Sequence, residues 1–109
     1  MLRVIDRQTI DEAARRLLEA APAGSRVILF GSYARGQADP GSDVDFLVVE
    51  PEVKDWMEES VRLGRTLDKF DMAVDVIVTS RKEFDYWKDT INTLAYRVTR
   101  EGKVYESLS

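Results

Sequence analysis

Three aspartates and a glycine-serine pair are the places where this sequence could do chemistry. Asp43 and Asp45 stand one residue apart at the head of an apolar run that continues to Val49, and Asp75 interrupts a second apolar run, Met72 to Val78. Side chains alternate along a strand, so Asp43 and Asp45 share a face with Leu47 and Val49, while Val44, Phe46 and Val48 face the other way. Two carboxylates on one face repel each other, and a divalent cation beside them relieves the repulsion. The chain has no histidine and no cysteine. That removes imidazole and thiol catalysis, disulfides and the usual zinc sites, and leaves a hard ion held by oxygens. Magnesium fits, because it takes one or two carboxylates and completes its octahedron with water and phosphate oxygens. The bland reading of the same pair is a solvated strand edge.

Upstream, Gly31-Ser32 follows the apolar run Val27 to Phe30 and precedes a short helical turn through Arg35. Such a junction leaves backbone N–H groups pointing outward, glycine permits close approach, and the serine hydroxyl adds a donor, so a phosphate fits. An ordinary turn would look the same. Arg35 either touches phosphate or pairs with a nearby carboxylate and holds the loop. Asp75 points towards the Asp43–Asp45 pair if its strand adjoins theirs; otherwise it reaches water or is satisfied by Arg35. Asp71 shares its face and is the second choice for a third acid.

These residues need a sheet to hold them. From Thr9 the apolar positions Ile10, Ala13, Ala14, Leu17, Leu18 and Ala21 follow a helical period, and Thr9 with Glu12 can form a capping box. Pro22 and Gly24 end that helix, and Arg26 to Phe30 reads as a strand buried on both faces. A loop at Ala38 to Ser42 leads to a second strand, Asp43 to Val49. A helix over Val53 to Phe70 carries Val53, Trp56, Met57, Ser60, Leu63, Gly64 and Leu67 near one stripe, and a third strand spans Met72 to Val78. Ser80 and Glu83 cap a last helix with Phe84, Trp87, Ile91, Leu94, Ala95 and Val98 on one face, closed by Gly102. Lys103 to Ser109 could add a short strand. Alternating helices and strands define an α/β or α+β fold, a sheet of three to four strands covered by helices, with strand order left open.

Composition bounds the rest. The 109 residues, 44% of them apolar, suit one domain over 1–109 with one modest core. A net charge of -4 argues against gripping nucleic acid by overall charge. No apolar run approaches a membrane span or signal core, so the expectation is a cytoplasmic protein with no membrane partner. Arg15-Arg16 and Arg81-Lys82 read as solvated helix surface. Trp56 and Trp87 read as core or partner interface, and Tyr33 lies beside the proposed phosphate turn.

The spacing of these features has a counterpart. Gly31-Ser32, ten intervening residues, Asp43-Val44-Asp45 between apolar neighbours and a later Asp75 resemble the nucleotidyltransferase superfamily that shares the DNA polymerase β catalytic fold. More closely, LFGSYARGQADPGSDVDFLVV is similar to the minimal nucleotidyltransferase family of prokaryotes, and the likeness extends over nearly the whole chain to REGKVY. The resemblance implies that Asp43, Asp45 and Asp75 are catalytic and bind two magnesium ions, with Asp75 also helping to deprotonate an acceptor hydroxyl. It implies that Gly31 and Ser32 hold the β- and γ-phosphates of a nucleoside triphosphate, with Arg35 as a further nucleotide-binding candidate.

Larger members of that superfamily carry a helical domain that helps to bind base and acceptor, so a partner is expected to complete the site. In the resembled family that partner is commonly a HEPN-domain ribonuclease toxin, and the implied reaction transfers AMP from ATP to one of its tyrosines, making this chain an antitoxin. Two alternatives remain: a catalytically silent module that neutralises such a toxin by binding, and a small-molecule nucleotidyltransferase of the aminoglycoside-modifying kind. A homodimer or hetero-oligomer is compatible with each.

Overall fold

The structure is a computed structural model that describes residues 3–106. Its centre is a four-stranded mixed sheet in the order β3-β2-β1-β4, built from β1 (Arg26–Phe30), β2 (Val44–Glu50), β3 (Val74–Ser80) and β4 (Lys103–Glu106). β1 lies antiparallel to β2 and to β4, whereas β2 and β3 run parallel. The parallel pair requires a crossover, and α3 (Trp56–Arg65) supplies it.

Each face of the sheet has its own core, as the period-two pattern requires. One face packs Val27, Leu29, Val44, Phe46 and Val48 against Ile10, Ala13, Ala14 and Leu17 of α1 (Arg7–Ala20) and against Leu63 and Leu67. The other packs Ile28, Phe30, Leu47 and Val49 against Phe84 of α4 (Arg81–Trp87) and Ala95 and Val98 of α5 (Leu94–Glu101). Burying each of the larger side chains, such as Phe46 or Leu17, stabilises the fold by roughly 1.5–3 kcal/mol before entropy is counted. β1 is buried on both faces, and Asp45 of β2 falls on the α4–α5 side.

Element ends depart from the sequence expectations in ways that have local causes. The cap of α1 is Asp6, whose carboxylate accepts from the Thr9 amide at 2.7 Å, so the helix starts one turn before the Thr9–Glu12 box. α3 is shorter than Val53 to Phe70. Asp55 caps it by accepting from the amides of Met57 and Glu58, and the chain beyond Arg65 tightens into successive turns through Phe70. Trp56 and Met57 are exposed, and Leu63 and Leu67 carry the packing instead. β3 is displaced to Val74–Ser80 because parallel pairing starts at Val44↔Val74, which leaves Asp71 exposed ahead of the strand.

The single helix expected after Ser80 is two helices. Ser80 does cap α4, accepting from the Glu83 amide at 3.1 Å. α4 ends at Trp87, the linking segment holds Asn92 with a φ of 71° that an α-helix cannot continue through, and α5 is capped by Thr93, whose hydroxyl accepts from the Tyr96 amide. The same hydroxyl lies 2.9 and 2.8 Å from the carbonyl oxygens of Trp87 and Thr90, which ties the break together. Trp87 is 43% exposed rather than core, and Ile91 is 68% exposed.

The strand expected near the C-terminus forms as β4, paired along β1; Ser107 to Ser109 lie outside the described residues. Gly102 makes this possible. A Cβ there would run into Ile28 and the Val98 carbonyl, so only glycine lets α5 turn straight into β4. The last turn of α5 is thereby pressed against the end of β1, beside Gly31.

Candidate active site

Sheet register brings the sequence candidates together. Phe30, the last residue of β1, is paired with Asp45, and Asp45 is paired in turn with Asp75. Opposed residues of adjacent strands place their side chains on one face, so the two carboxylates are neighbours on the α4–α5 side. Asp43 sits exposed just ahead of β2, and Asp75 is exposed on β3. Gly31 follows Phe30 directly and starts α2 (Ser32–Arg35). Its φ of 78° lies in the left-handed region, and a Cβ would run into the Asp45 carboxylate. Two separate reasons, backbone conformation and close approach, therefore demand glycine beside Asp45.

The electrostatics follow from that crowding. The Asp45 carboxyl is pushed above the usual carboxylate range, first by burial, then by the charge of Asp75, then by that of Asp43; Arg97 and Arg35 oppose the shift. Negative charge is thus accumulated at Asp45 with no hydrogen bond among the described residues to offset it. Among the described residues no three acidic or imidazole groups converge closely enough to cage a cation by themselves. That donor set fits an ion of the magnesium type, which takes few carboxylates and draws its remaining oxygens from water and a bound phosphate.

Arg35 and Gly31 meet a partner that sequence reasoning did not name. Glu101, in the last turn of α5, accepts from the Gly31 amide at 3.2 Å, and its two oxygens lie 3.3 Å from an Arg35 guanidinium nitrogen. Arg97 approaches the same carboxylate at 3.9 Å. Of the two sequence readings for Arg35, the carboxylate-pairing one is what the structure contains, and the carboxylate belongs to Glu101 rather than Asp75. Tyr33 is used elsewhere: its hydroxyl accepts from the Ile5 amide and its ring packs on the α1 core. A sequence signal for Glu101 did exist. An acid in the last helical turn faces the negative end of the helix dipole, so something else must hold it there.

The chain matches the nucleotidyltransferase domain family over residues 10–101 and belongs to it. It is 37% identical over 54 residues to a protein of Methanocaldococcus jannaschii assigned as a protein adenylyltransferase, covering 50% of this chain and 54% of that one. Over 56 residues it is 41% identical to the bifunctional uridylyltransferase/uridylyl-removing enzyme of Bordetella avium, a match to 50% of this chain and 6% of that enzyme. The chain therefore spans about half the length of the first relative and a small part of the second. The fold superposes on a toxin–antitoxin structure solved with AMP-PNP at a TM-score of 0.64 and 21% identity, covering 95% of this chain and 76% of that one. The nucleotidyltransferase fold expected from the resemblance is the fold observed. No helix among the described residues is long and apolar enough to cross a membrane.

Proposed function

We propose that this chain is a magnesium-dependent nucleotidyltransferase that moves AMP from ATP to a tyrosine hydroxyl of a HEPN-domain toxin in the cytoplasm, and so acts as an antitoxin. The observation that carries the reading is the in-register Asp45–Asp75 pair beside Gly31, with Asp45 held above its ordinary pKa by burial and by its acidic neighbours. The adenylyltransferase assignment of one relative and the AMP-PNP complex of one fold neighbour support adenine over other bases. That neighbour's toxin–antitoxin assembly supports a toxin as acceptor.

In this reading Asp43, Asp45 and Asp75 would hold two magnesium ions, and the Gly31 amide, the Ser32 hydroxyl and Arg35 would receive the β- and γ-phosphates. Bound magnesium supplies charge neutralisation at the phosphates and a lowered pKa for the acceptor hydroxyl. The residues of the chain do the positioning: the Gly31–Ser32 turn fixes the polyphosphate so that the bridging oxygen lies in line with the incoming hydroxyl. The hydroxyl oxygen bonds to the α-phosphorus, the bond from that phosphorus to the bridging oxygen breaks, and pyrophosphate leaves. The hydroxyl proton passes to the Asp75 carboxylate, which is exposed and within the acidic face.

The test is transfer of label from α-labelled ATP, CTP, GTP and UTP to the product of the adjacent gene, comparing wild type with Asp45→Asn and Asp75→Asn. Label on the partner, strongest from ATP and lost in both variants, is the expected result. One observation favours a second reading, a silent module that neutralises the toxin by binding alone: Glu101 already fills the Gly31 amide and the Arg35 guanidinium. Partner neutralisation that persists in both variants with no label transferred would establish that reading.

A further inference from the structure

We infer that Glu101 is an internal competitor for the nucleotide's phosphates, and that Arg97 is a further phosphate-binding residue released when Glu101 is displaced. The inference rests on the nucleotidyltransferase reading of the site. Its starting point is that the backbone amide of Gly31, the guanidinium of Arg35 and the guanidinium of Arg97 all converge on one carboxylate. Those are the donor types that bind a phosphate, and here a carboxylate stands in for it.

Three features argue that the carboxylate is a placeholder rather than a permanent brace. First, its contacts are long. They run from 3.2 Å to the Gly31 amide, through 3.3 Å to Arg35, to 3.9 Å to Arg97. The bidentate Arg62–Glu59 pair of the same molecule is closed at 2.7 Å on both arms. Well-formed charge-assisted pairs close to about 2.7–2.9 Å. Second, Glu101 sits in the last turn of α5, against the helix dipole, and beside a face that already carries Asp43, Asp45 and Asp75. Third, its side chain is 18% exposed, while Arg35 and Arg97 are 41% and 59% exposed, so all three can move without unpacking the core.

Arg97 is placed for the second half of the exchange. It lies one helical turn before Glu101, its guanidinium is 6.0 Å from the centroid of the Phe30 ring, and Phe30 is the β1 residue paired with Asp45. When a triphosphate takes the Gly31 amide, Glu101 leaves, and Arg35 and Arg97 trade a single carboxylate charge for the greater charge of the phosphate chain. The departure also removes one negative charge from the neighbourhood of the three aspartates, so that nucleotide and cation binding favour each other.

Calorimetric titration of ATP, ADP, AMP and inorganic tripolyphosphate, with magnesium present, tests this on wild type, Glu101→Gln, Arg97→Ala and Arg97→Lys, with thermal melts confirming that each is folded. Glu101→Gln is expected to tighten ATP and tripolyphosphate roughly tenfold and to leave AMP within about twofold, the scale of one charged competitor removed. Arg97→Ala is expected to weaken ATP and tripolyphosphate by a similar factor, with Arg97→Lys recovering part of it. If Glu101→Gln leaves ATP unchanged, or weakens all four ligands alike, Glu101 is a structural brace and the inference is overturned while the nucleotidyltransferase reading stands. If no variant and no wild type binds any nucleotide or tripolyphosphate, both fall together.

Discussion

One strand, β2, carries acids at both of its ends, and the fold treats them in opposite ways. At its far end Glu50 is 2% exposed, yet its Oε2 lacks a partner unless a proton lies between it and Glu59. Burial first, and then the hydrogen bond and charge of Glu59, push the Glu50 carboxyl up to about 8, so it keeps its proton at neutral pH. Glu59 stays ionised, held down chiefly by its bidentate hydrogen bonds from Arg62, which also donates to the Ala20 carbonyl. A proton and a guanidinium close that cluster from within. At the near end Asp45 has no such remedy: its shift comes from burial and from two more acids facing it. Burying a carboxylate is costly, and the fold neutralises Glu50 from within while leaving Asp45 opposed by the charges of Asp75 and Asp43.

The contrast can be broken most sharply by chemistry. Asp45→Asn or Asp75→Asn is expected to lower nucleotidyl transfer by on the order of 10²–10³-fold in a label-transfer assay, whereas Glu50→Gln leaves it within about twofold. Retained activity in Asp45→Asn would erase the distinction between the two ends. Gly31→Ala comes next. The left-handed φ and the blocked approach to Asp45 together are expected to cost about 1–2 kcal/mol in denaturant unfolding and to displace the carboxylate, so that transfer falls along with stability.

Smaller effects sharpen the same contrast through pH. Because Glu50 titrates higher in the folded chain than in the unfolded one, its bound proton stabilises the fold fully below about pH 4.5 and that contribution is lost as pH rises through about 8. Thermal midpoints of wild type should therefore decline between pH 6 and 9, and Glu50→Gln, which keeps a donor for Glu59 without a titrating proton, should flatten the decline. Asp45→Asn is expected to do something a brace residue would not: with magnesium absent it removes a repelled charge and should raise the thermal midpoint by a few degrees, on the order of 1 kcal/mol. Added magnesium should stabilise wild type and leave that variant unmoved.

How much of this could be read before folding depends on the range of the interaction. Alternation along β2 predicts Asp43 and Asp45 on the Leu47–Val49 face; the two cores show that alternation from Val44 to Val49, which carries Asp45 but not Asp43, a residue ahead of the strand. That Asp75 would join them required β3 beside β2, which no local pattern states; the parallel register supplies it. The break between α4 and α5 escaped notice because Phe84, Trp87, Ile91, Leu94 and Val98 keep a helical period across it, while Asn92 and Thr93 quietly reverse the chain. Glu101 escaped for a different reason. It meets Gly31 across 70 positions of sequence, through a contact that exists only because Gly102 lets β4 lie against β1.

The position of Asp75 has one last consequence. It is carried by β3, the outermost strand on its side of the sheet among the described residues, and its Asp75 and Ile77 are exposed. Outer strands open locally at far lower free energy than a central strand such as β2. Asp75 therefore stays opposite Asp45 only for as long as that margin stays zipped. Fraying of a few residues at the edge would part Asp75 from Asp45 while the two cores remain intact.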